Sequence, residues 1–140
     1  MKWVTRENAK VDRVACPWLI SRFIDQAAEF LFVPREQVLE VARREGAHSF
    51  DAEGAEFGHR DGKCTFETLI NVFNLKDNAL RSIAEIVHDI DLKDNKYGRK
   101  EVEGLSQIIT GLSQKLKDDN KLVEKGLEIF DALYQNYSSS

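Results

Sequence analysis

The apolar pattern of this 140-residue chain changes period near residue 65, and that change limits the folds open to it. Before it, strand-length runs alternate with helical stretches. "KWVTR" is a short β-prone run. In "VDRVACPWLISRFID", Leu19, Ile20, Phe23 and Ile24 recur at helical spacing, and Pro17 suits a first helical turn because its missing N–H costs nothing there. "EFLFVP" has strand length and stops at Pro34. "REQVLEVARREG" reads as a helix closed by Gly46, and "AHSFD" as a third short strand. Strand, helix, strand, helix, strand predicts a small, mostly parallel sheet with right-handed crossovers.

After residue 65 the period is helical throughout. Phe66, Leu69, Ile70 and Phe73 share one face, as do Leu80, Ile83, Ala84 and Val87 in the next segment. Val102, Leu105, Ile109, Leu112 and Leu116 form a third stripe; Leu122, Gly126, Phe130, Leu133 and Tyr137 form a fourth. Each half alone is too small for a good core. The expectation is an α-rich α/β fold, one domain over residues 1–137, with the sheet of the N-terminal half packed against a bundle of C-terminal helices. Residues 138–140, "SSS", read as a frayed tail. The tetrad "GLSQ" occurs twice, and its Gly104 and Gly111 are expected to let a neighbouring backbone approach.

Charge narrows the function classes. The formal net charge is −4, from 24 acids against 20 bases, which argues against nucleic acid as a partner. No apolar run approaches the roughly 20 residues that span a bilayer, and "MKWVTRENAK" turns polar at once, so a cytoplasmic location is expected. In a reducing compartment Cys16 and Cys64 should be thiols or metal ligands. No glycine-rich nucleotide fingerprint follows a strand, so a flavin or nicotinamide is not expected.

The stretch "GAEFGHRDGKC", residues 54–64, has no helical or strand period but holds Glu56, His59 and Cys64 among three glycines. Such a loop can bend to present ligands. Further along, His88 and Asp91 lie beside the apolar face of their helix, whereas Glu85 and Asp89 are expected to point to water. Glu56, His59, His88 and Asp91 are therefore the expected ligands of one divalent ion, with Asp51 or Cys64 as further candidates. Nitrogen and carboxylate donors suit zinc, iron or manganese, and four such ligands leave room for a water. The alternative is a loop hydrogen bond for His59 and a core-edge position for His88.

A second candidate lies in "DRVACPW". With a helix starting at Pro17, Cys16 would be its N-cap, and the helix end and Arg13 would favour thiolate. This makes Cys16 a candidate catalytic thiol. Arg6, Lys10, Arg13 and Arg22 could line a small anion pocket there. The alternative is an inert buried cysteine among solvated arginines.

"KWVTRENAKVDRVACPWLISRFIDQAAEFLFVP" and "GAEFGHRDGKCTFETLI" together resemble the ChrB C-terminal domain family of chromate-resistance proteins. "IAEIVHDIDLKD" and "GLEIFDALY" are similar to that family too, so the resemblance covers almost the whole chain. It implies a setting in chromate-resistance operons beside an efflux transporter, as a regulator or accessory protein. Longer members carry an additional N-terminal region. This chain starts at "MKWVTR", so a DNA-binding role in that region is not expected of it.

Three functions follow as expectations. One is a metal-binding accessory domain acting in chromate response or detoxification. Another is an oxyanion sensor built on Arg13, Arg22 and Cys16. The third is a redox enzyme using Cys16 or the metal.

Overall fold

The computed structural model describes residues 1–8 and 10–139. Three strands, β1 (Lys2–Arg6), β2 (Glu29–Val33) and β3 (His48–Ser49), form an all-parallel sheet in the order β2-β1-β3. The central strand is buried on both faces, and its side chains alternate between two cores. Val4 meets Val38 and Val41 of helix α2 (Val38–Glu45) on one face. Trp3 faces the larger core on the other, stacking on Phe57 at 5.8 Å between ring centroids. Gly46 closes α2 at a φ of 62°, a left-handed conformation that glycine adopts without a Cβ clash.

Helix α1 (Val11–Leu19) departs from expectation: it starts at Val11 and carries Pro17 in its interior. The ring leaves the Arg13 carbonyl without its helical donor. The helix then widens into a π turn over Ile20–Ile24, closed by Asp25 N–H on the Ile20 carbonyl at 2.7 Å. Cys16 is therefore mid-helix and not an N-cap.

Four helices follow residue 65, as the period predicted: α3 (Thr65–Val72), α4 (Asn78–Leu92), α5 (Glu101–Leu116) and α6 (Asp119–Ser138). Trp18 of α1 is the hub of the main core. It stacks parallel to Phe66 of α3 and packs on Phe130 of α6, and its indole N–H donates to Asp131 at 2.8 Å. The close approach expected at Gly104 and Gly111 is absent, since nothing lies near either. It occurs at Gly126 of α6, where a Cβ would fall 2.2 Å from Val14 Cγ1 of α1. The expected frayed tail begins with the last helical residue, Ser138; Ser139 caps α6, and Ser140 lies outside the described residues. Among the described residues no helix is long and apolar enough to cross a membrane.

Candidate metal centre

Four side chains from four segments meet where the glycine-rich loop crosses α1 and α4. Asp12 comes from the first turn of α1, Asp51 from two residues past the end of β3, His59 from the loop and Asp91 from α4. His59 Nε2 stands 2.9 Å from Asp91 Oδ2, 3.7 Å from Asp51 Oδ1 and 3.9 Å from Asp12 Oδ2. Asp12 and Asp51 are buried; His59 is half-exposed at the mouth.

The first residue of α3 orients two of the acids. Thr65 N–H donates to Asp12 Oδ2 at 3.2 Å, and Thr65 Oγ1 donates to Asp51 Oδ1 at 3.0 Å. The Cys16 thiol donates to the other Asp12 oxygen at 3.2 Å. Arg6 Nε donates to the Asp51 carbonyl at 3.0 Å. Asp91 Oδ2 is buried and accepts no well-aligned hydrogen bond among the described residues; its contact with His59 Nε2 is an ion pair.

Crowded carboxylates resist ionising together. Burial, then the charges of Asp51 and Asp91, push the Asp12 carboxyl well above the ordinary carboxylate range. Asp91 is raised by burial and by Asp51. His59 responds in the opposite sense: Asp51 first, then the charges of Asp91 and Asp12, outweigh partial burial and lift it to about 9. Three acids facing one imidazole form a set that a divalent cation would relieve.

A second cluster lies on the other side of the start of α3. Glu67 Oε1 accepts the Cys64 backbone N–H at 3.0 Å, the reach-back of a capping box, and lies 2.6 Å from His88 Nδ1. Asp94 Oδ2 lies 3.0 Å from His88 Nε2. Burial opposes charge on His88, but these two carboxylates prevail and raise its pKa. Cys64, Glu67 and His88 are close enough to share an ion, yet both ring nitrogens of His88 already have carboxylate partners.

The four residues expected to share one ion thus divide three ways. His59 and Asp91 meet. His88 turns to Glu67 and Asp94. Glu56 pairs with His48 Nδ1 at 2.9 Å. Residues 88 and 91 are about 60° apart around α4, enough to send them to opposite sides of α3. Of the further candidates, Asp51 joins His59 and Cys64 joins His88.

Asp89, expected in water, is buried, because the segment after α4 folds back over it and donates Tyr97 N–H and Arg99 N–H to its carboxylate. Glu85, also expected in water, is half-buried and pairs with Arg99 at 3.3 Å.

The oxyanion candidates do not gather either. Arg22 pairs with Asp131 of α6 at 2.8 Å, while the buried Arg13 donates to the Asn8 carbonyl at 2.8 Å. Cys16 is fully buried, and burial, then Asp12 and Asp51, push its thiol up, away from thiolate.

Asp12 was not among the sequence candidates. An acid flanked on its helix by Val11, Ala15 and Cys16, all buried, was the available signal. For Glu67 it was the spacing of three residues from a helix start.

A match to the ChrB C-terminal domain spans residues 3–137, which takes in every residue of both clusters. The chain belongs to the ChrB C-terminal domain family. It is 34% identical over 139 residues to Protein ChrB of Cupriavidus metallidurans strain CH34, covering 99% of this chain but 41% of that protein. The chain therefore spans less than half the length of that curated relative. No solved structure matches it. In this ChrB-type domain the two most distinctive sequence blocks face each other: "DRVAC" supplies Asp12 and Cys16, and "GAEFGHRDGKC" supplies His59 and Cys64. A cavity of about 440 Å³ opens over their junction, with Asp51 and His59 in its wall beside Arg6 and Arg60.

Proposed function

We propose that this ChrB-type domain binds one divalent metal ion through Asp12, His59 and Asp91, with Asp51 beside them, and acts through it in chromate response. The observation that carries the reading is the convergence of a carboxylate oxygen from Asp12, another from Asp91 and a ring nitrogen of His59, all within 4.8 Å of one another, with Asp91 Oδ2 buried and accepting no aligned hydrogen bond. Buried oxygens without an aligned hydrogen bond are rare in proteins because they forfeit hydration. An ion is the partner that suits an oxygen among like charges.

Carboxylates with one imidazole suit manganese, iron or zinc, and the absence of a thiolate in this set separates it from zinc-finger sites. A metal bound here would supply a Lewis-acidic position able to take an oxyanion oxygen. The protein supplies the rest. Thr65 holds two acids in orientation, and Arg6 and Arg60 line a cavity that reaches His59. They give an anion a favourable approach to an otherwise acidic centre.

Elemental analysis of the full chain, purified without chelator, tests this reading. One equivalent of metal is expected in the wild type and in His88→Ala, and a loss of most of it in His59→Ala and in Asp12→Asn. Full metal in the His59 and Asp12 variants, or none in the wild type after incubation with manganese, iron and zinc in turn, would overturn it.

A further inference from the structure

A separate cavity of about 600 Å³ lies between the end of α3 and the start of α4. Lys63, Lys76 and Arg81 line it, and none of the three makes an ion pair among the described residues. Asn71, Asn74 and Asn78 also line it, and their side-chain amides have no hydrogen-bond partner among the described residues. Ile70, Leu75 and Ala84 add an apolar wall.

The two acids at this cavity are both committed. Asp77 Oδ1 caps α4 by accepting Ala79 N–H and Leu80 N–H, and its Oδ2 accepts the Tyr134 hydroxyl at 2.6 Å. Glu67 is held by the Cys64 N–H and by His88. Neither makes an ion pair with a lysine or the arginine, and the three cations outnumber the two acids. In a chain with a net charge of −4, three unpaired cations around one concavity are a local reversal of sign.

We infer that this cavity binds a small organic anion, its phosphate or carboxylate held by Lys63, Lys76 and Arg81 and its less polar body lying against Ile70 and Leu75. The volume falls within the about 300–1,000 Å³ typical of metabolite pockets and is generous for a bare inorganic anion. Arginine offers paired donors to either head group, and the lysines add charge. The asparagines supply donors and acceptors for hydroxyl or ring substituents. The site shares no lining residue with the Asp12–His59–Asp91 centre, so it stands whether or not that centre holds a metal.

The test is an NMR titration of the full chain with adenosine monophosphate, glucose 6-phosphate and benzoate, reading the backbone and side-chain amides of residues 63–81. At least one probe should give saturable shifts there, and the identity of that probe distinguishes a phosphate ligand from a carboxylate one. Affinity should fall at least tenfold in Lys76→Glu/Arg81→Glu, whose exposed positions make misfolding an unsuitable explanation. His59→Ala should bind the same probe as the wild type. No saturable shift with any probe, shifts confined to residues outside this cavity, or unchanged affinity in the double variant would overturn the assignment.

Discussion

Nε2 of His59 stands 2.9 Å from Oδ2 of Asp91, an ion-pair contact that is not aligned as a hydrogen bond. The pair joins a half-exposed loop to a helix of the core, so its state ties the loop to the fold. Asp91→Asn should therefore have opposite effects with and without metal. Without metal it removes one charge from a crowded set, and the melting temperature should hold or rise. With metal present it removes a ligand, and the metal-dependent rise in melting temperature should largely disappear. Thermal melts of both proteins, with and without chelator, check both signs.

Cys16 should be inert in the native protein. Its thiol is buried, donates to Asp12 and has its pKa raised. Iodoacetamide at neutral pH should leave it unmodified in the folded chain and label it after denaturation, as read by mass spectrometry. Rapid native labelling would restore the reactive-thiol reading that the mid-helix position removes.

His88 should matter for stability more than for metal. Replacing it with leucine leaves buried Glu67 without its imidazole, at a cost of about 2 kcal/mol by the usual penalty for an unsatisfied buried group. Burial disfavours its charge, but Glu67 and Asp94 together raise its pKa above 6.5. The stabilisation from a raised imidazole is complete below the unfolded value of about 6.5 and is lost as pH rises through the folded one. Urea unfolding of wild type and His88→Leu across pH 5.5–8.5 should show a gap that narrows as pH rises.

Glycine substitutions should separate by position. Gly126→Ala drives a methyl into Val14 and should destabilise the domain by about 1–3 kcal/mol. Gly104→Ala and Gly111→Ala meet nothing and should stabilise α5 by about 0.5–1 kcal/mol each. Thermal unfolding of the three variants gives the comparison.

Acid should loosen the α1–α6 contact. Asp131 is lowered first by its hydrogen bond from Arg22, with the Trp18 indole helping against partial burial. Its contribution is present above the ordinary carboxylate pKa and disappears as pH falls through the lower folded value. Asp131→Asn should cost about 1 kcal/mol at neutral pH, discounted because the pair is half-exposed, and less at pH 3. Trp18 fluorescence during unfolding reads the difference.

Periodicity carried the architecture because burial imposes period: β1, β2 and the four late helices are each marked by an apolar face, and β3 by the apolar residues that flank it. It failed at Pro17, where tertiary packing of Val11, Val14 and Ala15 holds a helix around a residue that usually begins one. The centre was half legible. His59 and Asp91 carried a signal of residue type, and the structure unites them. Glu56 did not follow His59, since an aperiodic loop sends residues three apart in unrelated directions, and Glu56 is taken by His48. Asp12 was hidden by its setting, an acid inside an apolar block that reads as core.

The α1–α6 contact also bears on how the domain is made. Val14 rests against Gly126, and Trp18 and Arg22 bond Asp131, so the helix that carries Asp12 and Cys16 is completed by the distant helix α6. During synthesis, Trp18 of α1 meets Phe66 of α3 early, but the face that rests on Gly126 and Phe130 waits more than a hundred residues for its cover. Until α6 emerges, the helix that positions Asp12 against His59 and Asp91 lacks part of its packing. The geometry that brings Asp12, His59 and Asp91 together therefore belongs to the finished domain.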